Sequence, residues 1–183
     1  EAVAVLKWAQ YEMDRRYKLL AHHGFRDIQS FNEKRSDEKL PYLLIVIDEL
    51  ADLIVTAGQE VEYSIIRLAQ MARAVGLHLI LATQRPSADV ITGTIKANFP
   101  SRVAYKTASK LNSRIILDEQ GSETLLGKGD FLYLKITGEI ERGQGALVTV
   151  PEIRNTVQYL KNIDIKKDSF RQLFEKDREI SLE

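Results

Sequence analysis

The sequence predicts an α/β protein: a mostly parallel sheet flanked by helices, with a β-hairpin near its C-terminal side. Tyr42-Leu43-Leu44-Ile45-Val46-Ile47 is an unbroken apolar run that ends in two carboxylates, Asp48 and Glu49. Such a run has no period-2 alternation, and a strand apolar on both faces belongs inside a parallel sheet covered by helices on either side. A second run, Leu77-His78-Leu79-Ile80-Leu81-Ala82, closes in the polar cluster Thr83-Gln84-Arg85-Pro86. Between them Val61, Ile65, Leu68, Ala69, Ala72 and Val75 form one helical stripe over Gln59–Val75, and Gly76 ends it. Strand, helix and strand make a βαβ unit.

The remaining elements follow from the same signals. Ala2–Leu20 reads as an amphipathic helix through Val5, Trp8, Ala9, Met13, Tyr17 and Leu20, stopped by Gly24. Because it begins without a cap, a chain cut from a longer protein is expected. Asp27–Lys39 is polar and reads as an exposed connection. Val90–Asn98 predicts a short helix, Arg102–Lys106 a strand, and Ser109–Asp118 a helix capped by its serine. Phe131–Leu134 and Ala146–Val150 predict strands, with Gly138 and Gly143 bracketing the turn between them. Two further helices are expected at Glu152–Lys161 and Ile165–Lys176. Residues 1–150 are read as one core and 151–183 as a helical extension.

Composition sets broad limits. A chain of 183 residues, 44% hydrophobic and 28% charged, is long enough for one packed domain. Its 26 basic and 26 acidic residues cancel, so net charge points to no class of partner. With no cysteine, disulfides and thiolate metal sites are excluded, and His22, His23 and His78 form no ligand spacing. No apolar run approaches the ~20 residues needed to cross a bilayer, so no membrane contact is expected from these residues.

The chemistry starts at the strand ends, since ligands of open parallel sheets sit beyond the carboxyl ends of the strands. Asp48 and Glu49 there match a Walker B element, in which the Asp holds Mg²⁺ largely through water and the Glu orients or deprotonates the attacking water. The plainer alternative is that one of the two acids caps the following helix. A phosphate cradle of the form GxxxxGK[ST] is absent. The nearest run, Gly121 to Gly129, has five residues between its glycines and Gly129 in place of the hydroxyl, and reads as the turn into a strand.

Charge is uneven locally. From Arg85 to Arg114 six basic residues face Asp89 alone, and Lys110 and Arg114 share a helix face. That spacing suits successive phosphates of a duplex, and equally suits a solvated helix surface. Arg73, at the edge of the apolar stripe, either snorkels or reaches a neighbouring subunit's phosphates.

Taken together, these residues resemble the motor domain of the FtsK/SpoIIIE family of DNA translocases over roughly Glu12 to Val150. The resemblance rests on Met13-Asp14-Arg15-Arg16-Tyr17, Val46-Ile47-Asp48-Glu49-Leu50-Ala51-Asp52-Leu53, Arg67-Leu68-Ala69-Gln70 with Ala72-Arg73, and Leu81-Ala82-Thr83-Gln84-Arg85-Pro86-Ser87. It continues through Asp89-Val90-Ile91-Thr92-Gly93, Ile95-Lys96-Ala97-Asn98, Ser113-Arg114, Ile116-Leu117-Asp118, Leu125-Leu126-Gly127 and Gly129-Asp130.

The resemblance implies a RecA-like core of which the P-loop part lies upstream, in a six-membered ring that pumps double-stranded DNA with ATP and Mg²⁺. It implies Asp48 as the magnesium residue, Glu49 as the catalytic glutamate, Thr83 and Gln84 as the γ-phosphate sensor, and Arg73 as an arginine finger acting in trans. Arg85, Lys96, Lys110 and Arg114 would face the DNA channel. The fragment would be a cytoplasmic domain, inactive alone, of a protein anchored in the bacterial cell membrane and acting in chromosome partition and cell division. Two other readings compete: an ATP-independent assembly or DNA-clamping module, and a related secretion or conjugation ATPase.

Overall fold

A computed structural model describes residues 2–162 of the chain. Its first element, α1 (Ala2–His22), buries Leu6, Ala9, Met13 and Leu20 along one stripe. Leu6 takes the place expected for Val5, and Tyr17 is half-buried. Gly24 follows in the left-handed region at φ 74°, where a side chain is disfavoured.

The segment expected to be an exposed connection contains a helix, α2 (Ile28–Lys34). Asp27 caps it by accepting from Ser30 N at 2.8 Å, and Ile28 and Phe31 are buried. Two buried anchors in an otherwise polar run are enough to dock one short helix.

β1 (Leu43–Ile47) pairs in parallel with β2 (Leu77–Leu81), in register from Leu43 with Leu77 to Ile47 with Leu81. α3 (Leu50–Met71) and a 3-10 turn (Ala72–Val75) connect them. The helix starts directly after the acids, earlier than the stripe indicates, and breaks at Ala57 (φ −152°, ψ 48°). The predicted stripe is the buried face: Val61, Ile65, Leu68, Ala72 and Val75 are at most 1% exposed. Burial of each of the larger aliphatic side chains stabilises the fold by about 1.5–3 kcal/mol. Gly76 closes the turn at φ 78°, with Ile28 packed where its Cβ would be.

The sheet is covered on one face. Leu43, Ile45, Leu79 and Leu81 pack against α1 and α3, whereas Leu44, Val46 and Ile80 are 62%, 60% and 50% exposed. The expectation of strands buried on both faces is therefore corrected: only one layer of helices is present among the described residues.

After β2, residues 90–99 still pack on this first core, with Val90 and Ile95 buried in it, and the elements beyond them form a second unit. α4 (Gly93–Asn98) is capped by Thr92, and α5 (Lys110–Leu117) by Ser109 as predicted. β3 (Arg102–Tyr105), β4 (Asp130–Leu134) and β5 (Ile140–Gln144) make an antiparallel sheet in that order. Its own small core holds Ala104, Leu117 and Leu134.

The hairpin partner of β4 is Ile140–Gln144, not Ala146–Val150, so Gly143 lies inside the strand and Gly138 in the turn. Ala146–Val150 lacks a strand's pairing, and Leu147 and Val148 are exposed. Gly127, Lys128 and Gly129 all take positive φ and make the turn into β4 that was expected of them. α6 (Val150–Asn162) has no buried residue, and the helix expected at Ile165–Lys176 lies outside the described residues. No described helix is long and apolar enough to cross a membrane.

Candidate functional site

Pairing of β1 and β2 continues past the ends of the strands. Ala82 N donates to Ile47 O and Leu50 N to Ala82 O, each at 2.8 Å. These bonds bring the Asp48-Glu49 turn against Thr83 and Gln84 at the carboxyl edge of the sheet, as the sequence predicts.

Glu49 gathers three donors there. The Thr83 hydroxyl donates to Oε1, Gln84 N donates to Oε2 at 2.9 Å, and Ala51 N donates to Oε1 at 3.2 Å. The last bond makes Glu49 the N-cap of α3, so the capping alternative also describes this side chain correctly. The Thr83 hydroxyl first, and then the Gln84 N–H, hold the Glu49 carboxyl below the usual carboxylate range. Glu49 is thus a carboxylate fixed in position.

Asp48 is exposed beside it. A hollow of about 290 Å³ opens next to both acids, lined on its apolar side by Val5, Leu6, Ile45, Ile47 and Leu53. Among the described residues no three metal-ligating side chains converge. A lone exposed carboxylate fits Mg²⁺ only where phosphates and water supply the other ligands, which is the usual habit of that ion in nucleotide sites.

Arg73 lies at the far end of the same connection. β1 and β2 are parallel, so α3 and the 3-10 turn return the chain from the carboxyl edge of the sheet, where Glu49 sits, to the opposite edge, where Arg73 precedes β2. Arg73 is exposed, and its side chain makes no hydrogen bond or ion pair among the described residues.

The basic segment divides in two. Arg85 pairs with Asp52 in the first turn of α3, and Lys96 donates to Asp118 at 2.5 Å. Asp118 also receives Arg102 Nη1 at 2.7 Å, and Lys96 first, with Arg102, holds its carboxyl low. Lys110 and Arg114 are exposed on α5 with no such bond. They lie near Glu123, whose carboxyl is lowered chiefly by Gly121 N and further by these two cations.

Sequence reasoning missed Asp52 and Asp118. Asp52 stands far upstream of Arg85, and Asp118 falls just past the end of the basic window, so neither entered the local charge count. The structure brings Asp48, Glu49, Thr83 and Gln84 to one rim, with Arg85 following at its edge; Arg73 stands apart from them.

Residues 1–88 match the FtsK/SpoIIIE family. The chain is 54% identical over 162 residues to a DNA translocase FtsK of Caldanaerobacter subterraneus subsp. tengcongensis, covering 88% of this chain and 23% of that protein. It is 53% identical over 166 residues to the DNA translocase SftA of Bacillus subtilis, covering 88% of this chain and 17% of that protein. The chain therefore spans about a fifth of the length of these curated relatives.

Among solved structures, the pCW3 conjugation coupling protein TcpA, in its monomer form with ATPgS, superposes with a TM-score of 0.74 at 32% identity, covering 88% of this chain and 50% of that one. The cytoplasmic domain of the Thermomonospora curvata type VII secretion ATPase EccC shares the fold at a TM-score of 0.72 and 24% identity, over 81% of this chain and 18% of its own. The α/β core, the ordered strand-end residues and these likenesses agree: the chain belongs to the FtsK/SpoIIIE family.

Proposed function

We propose that this chain is the carboxyl-terminal part of the RecA-like core of an ATP-driven double-stranded DNA translocase acting in chromosome partition at division. The observation that carries the reading is the rim itself, where Glu49 is fixed by Thr83, Gln84 N and Ala51 N beside a free Asp48. Asp48 would hold Mg²⁺ through water, and the ion would neutralise charge on the transferring phosphate. Fixed by those three donors, Glu49 would orient or deprotonate the attacking water. Thr83 and Gln84, already bonded to Glu49, would couple the γ-phosphate to that orientation.

Placement at the opposite edge of the β1–β2 pair supports Arg73 as a residue for a neighbour's site in a hexameric ring. An arginine at the far edge of a five-residue strand pair from Glu49, about 17 Å at ~3.3 Å per residue, has no reach to its own rim. Lys110 and Arg114, with Arg85 and Lys96 after exchange of their acid partners, would grip duplex phosphates without reading bases. Residues 1–150 make up the core and 151–183 an extension, in a cytoplasmic domain of a membrane-anchored parent.

The test is ATP hydrolysis by the full-length protein. Strong stimulation by duplex DNA, falling steeply with salt, is expected. Stimulation by single strands alone would favour the conjugation-type reading, which the likeness to a coupling protein keeps in view. Calorimetry on the 183-residue chain alone should show no appreciable MgATP binding, and micromolar affinity would overturn its assignment as an incomplete site.

A further inference from the structure

The stretch that carries Arg73 is gripped at both ends by α1. Tyr17 OH donates to Met71 O at 2.6 Å, and Arg16 Nη1 donates to Val75 O at 3.0 Å. Arg16 is itself 2% exposed, and its other bonds run to Glu12 Oε1 at 2.6 Å and to Pro41 O at 2.8 Å. Glu12 is equally buried. Burial pushes its carboxyl up, but the bonds from Arg15 and Arg16 outweigh this and hold it low.

Between the two gripped carbonyls the backbone is a 3-10 turn whose Ala72 and Val75 are buried, closed by Gly76 N donating to Arg73 O at 3.2 Å. Of the 72–75 turn, Arg73 alone reaches fully into solvent. A buried guanidinium is costly to keep unless its donors are all used. Here two of its bonds go to backbone carbonyls, one at the entry to β1 and one at the end of this turn. Arg16 therefore sets where the turn sits relative to the sheet, and Tyr17 sets its other end.

We propose that Tyr17 and Arg16 are positioning residues for Arg73, fixing the direction in which its guanidinium leaves the subunit. The proposal rests on Arg73 acting at a neighbour's site. Catalytic placement is sensitive to displacements of about 1 Å, which cost up to ~100-fold in rate. The Tyr17 hydroxyl bonds a solvent-accessible carbonyl, so its loss should leave folding intact.

The experiment uses the full-length protein assembled on duplex DNA. Tyr17→Phe should lower kcat roughly 5- to 20-fold with KM for ATP within about twofold, and shift the melting temperature by no more than about 3 °C. Arg16→Lys, which keeps the charge but not both carbonyl bonds, should lower kcat at least as far. Rings mixed with Glu49→Gln subunits separate placement from general damage. A Glu49→Gln subunit has a well-held Arg73 to offer a Tyr17→Phe neighbour with an intact Glu49, so mixed rings should hydrolyse ATP faster than either variant alone.

Arg73→Ala is the control, and it should show the same recovery when mixed. If Arg73→Ala turns over ATP normally, the trans role fails and the positioning role with it. If Arg73→Ala is rescued by mixing but Tyr17→Phe either keeps full turnover or gains nothing from mixing, the trans role stands and the positioning role is overturned.

Discussion

Glu49 at the acid rim and Lys96 in the basic segment are both hydrogen-bonded, but their partners differ in kind. Glu49 is held by a neighbouring hydroxyl and two backbone N–H groups, all fixed by strand pairing or helix start. Lys96 is held by one half-exposed side chain, Asp118, which Arg102 shares while also donating to Ile116 O at 2.9 Å, and Arg85 is held by the exposed Asp52. Backbone donors stay in place when a ligand arrives, whereas a surface carboxylate can rotate away at a cost of about 1 kcal/mol or less. The rim is built for fixed geometry, and the basic segment for exchange of one anion for another.

Four variants test that contrast, and Glu49→Gln should have the largest effect. In the full-length protein it should lower hydrolysis by about 100-fold or more while nucleotide binding stays within a few-fold, measured by single turnover and by filter binding. Hydrolysis near the wild-type rate would remove Glu49 from its role.

Asp130 extends the held class into the second unit. Arg142 donates to it through Nε and Nη2, Leu126 N donates at 2.7 Å, and its carboxyl is held at about 2 rather than 3.8, chiefly by Arg142. A depressed folded value means that this carboxylate's contribution is complete above 3.8 and is lost as pH falls toward about 2. Urea midpoints followed across that acid window should fall more steeply for the wild type than for Asp130→Asn, and parallel curves would show that Asp130 is not held.

Lys110→Ala with Arg114→Ala should reduce the slope of log affinity against log salt by about 1–2 for duplex binding, because each lost phosphate contact removes about 0.9. An unchanged slope would return α5 to the solvated surface. The smallest effect belongs to Asp118→Asn. Asparagine tolerates the left-handed cap at φ 65°, so the change removes charge while keeping the backbone. It should tighten duplex binding about two- to threefold by releasing Lys96, and weaker binding would show that Asp118 positions that cation.

The difference between the two regions also explains what the sequence revealed. The part of helix α3 from Gln59 onward and the acids ahead of it were legible because burial and strand-end placement are local, written into Val61 through Val75 and into Asp48-Glu49; the helix's start at Leu50, on the other side of the break at Ala57, was not. The Glu49–Thr83 contact followed from treating the two apolar runs as adjacent strands.

Strand β5 was not legible. Ile140-Glu141-Arg142-Gly143-Gln144 is mostly polar, and it pairs because the turn at Gly138 returns the chain along β4. The apolar Leu147 and Val148 attracted the strand assignment, yet they are exposed. Two-sided burial of β1 was over-read, because a uniform apolar run states what a strand tolerates and not what covers it. The partners of Arg85 and Lys96 were invisible because an ion pair across 33 or 22 positions leaves no periodic trace.

The uncovered side of the β1–β2 pair has a practical consequence. Leu44, Val46 and Ile80 present a continuous greasy plane to water, flanked by the stacked rings of Tyr42 and His78. In the isolated polypeptide that plane should take up a hydrophobic dye even when every helix is intact, and it should drive self-association as concentration rises. Purification of this piece will therefore be governed by its stickiness at neutral net charge, and a low yield would say nothing against the packing of its interior.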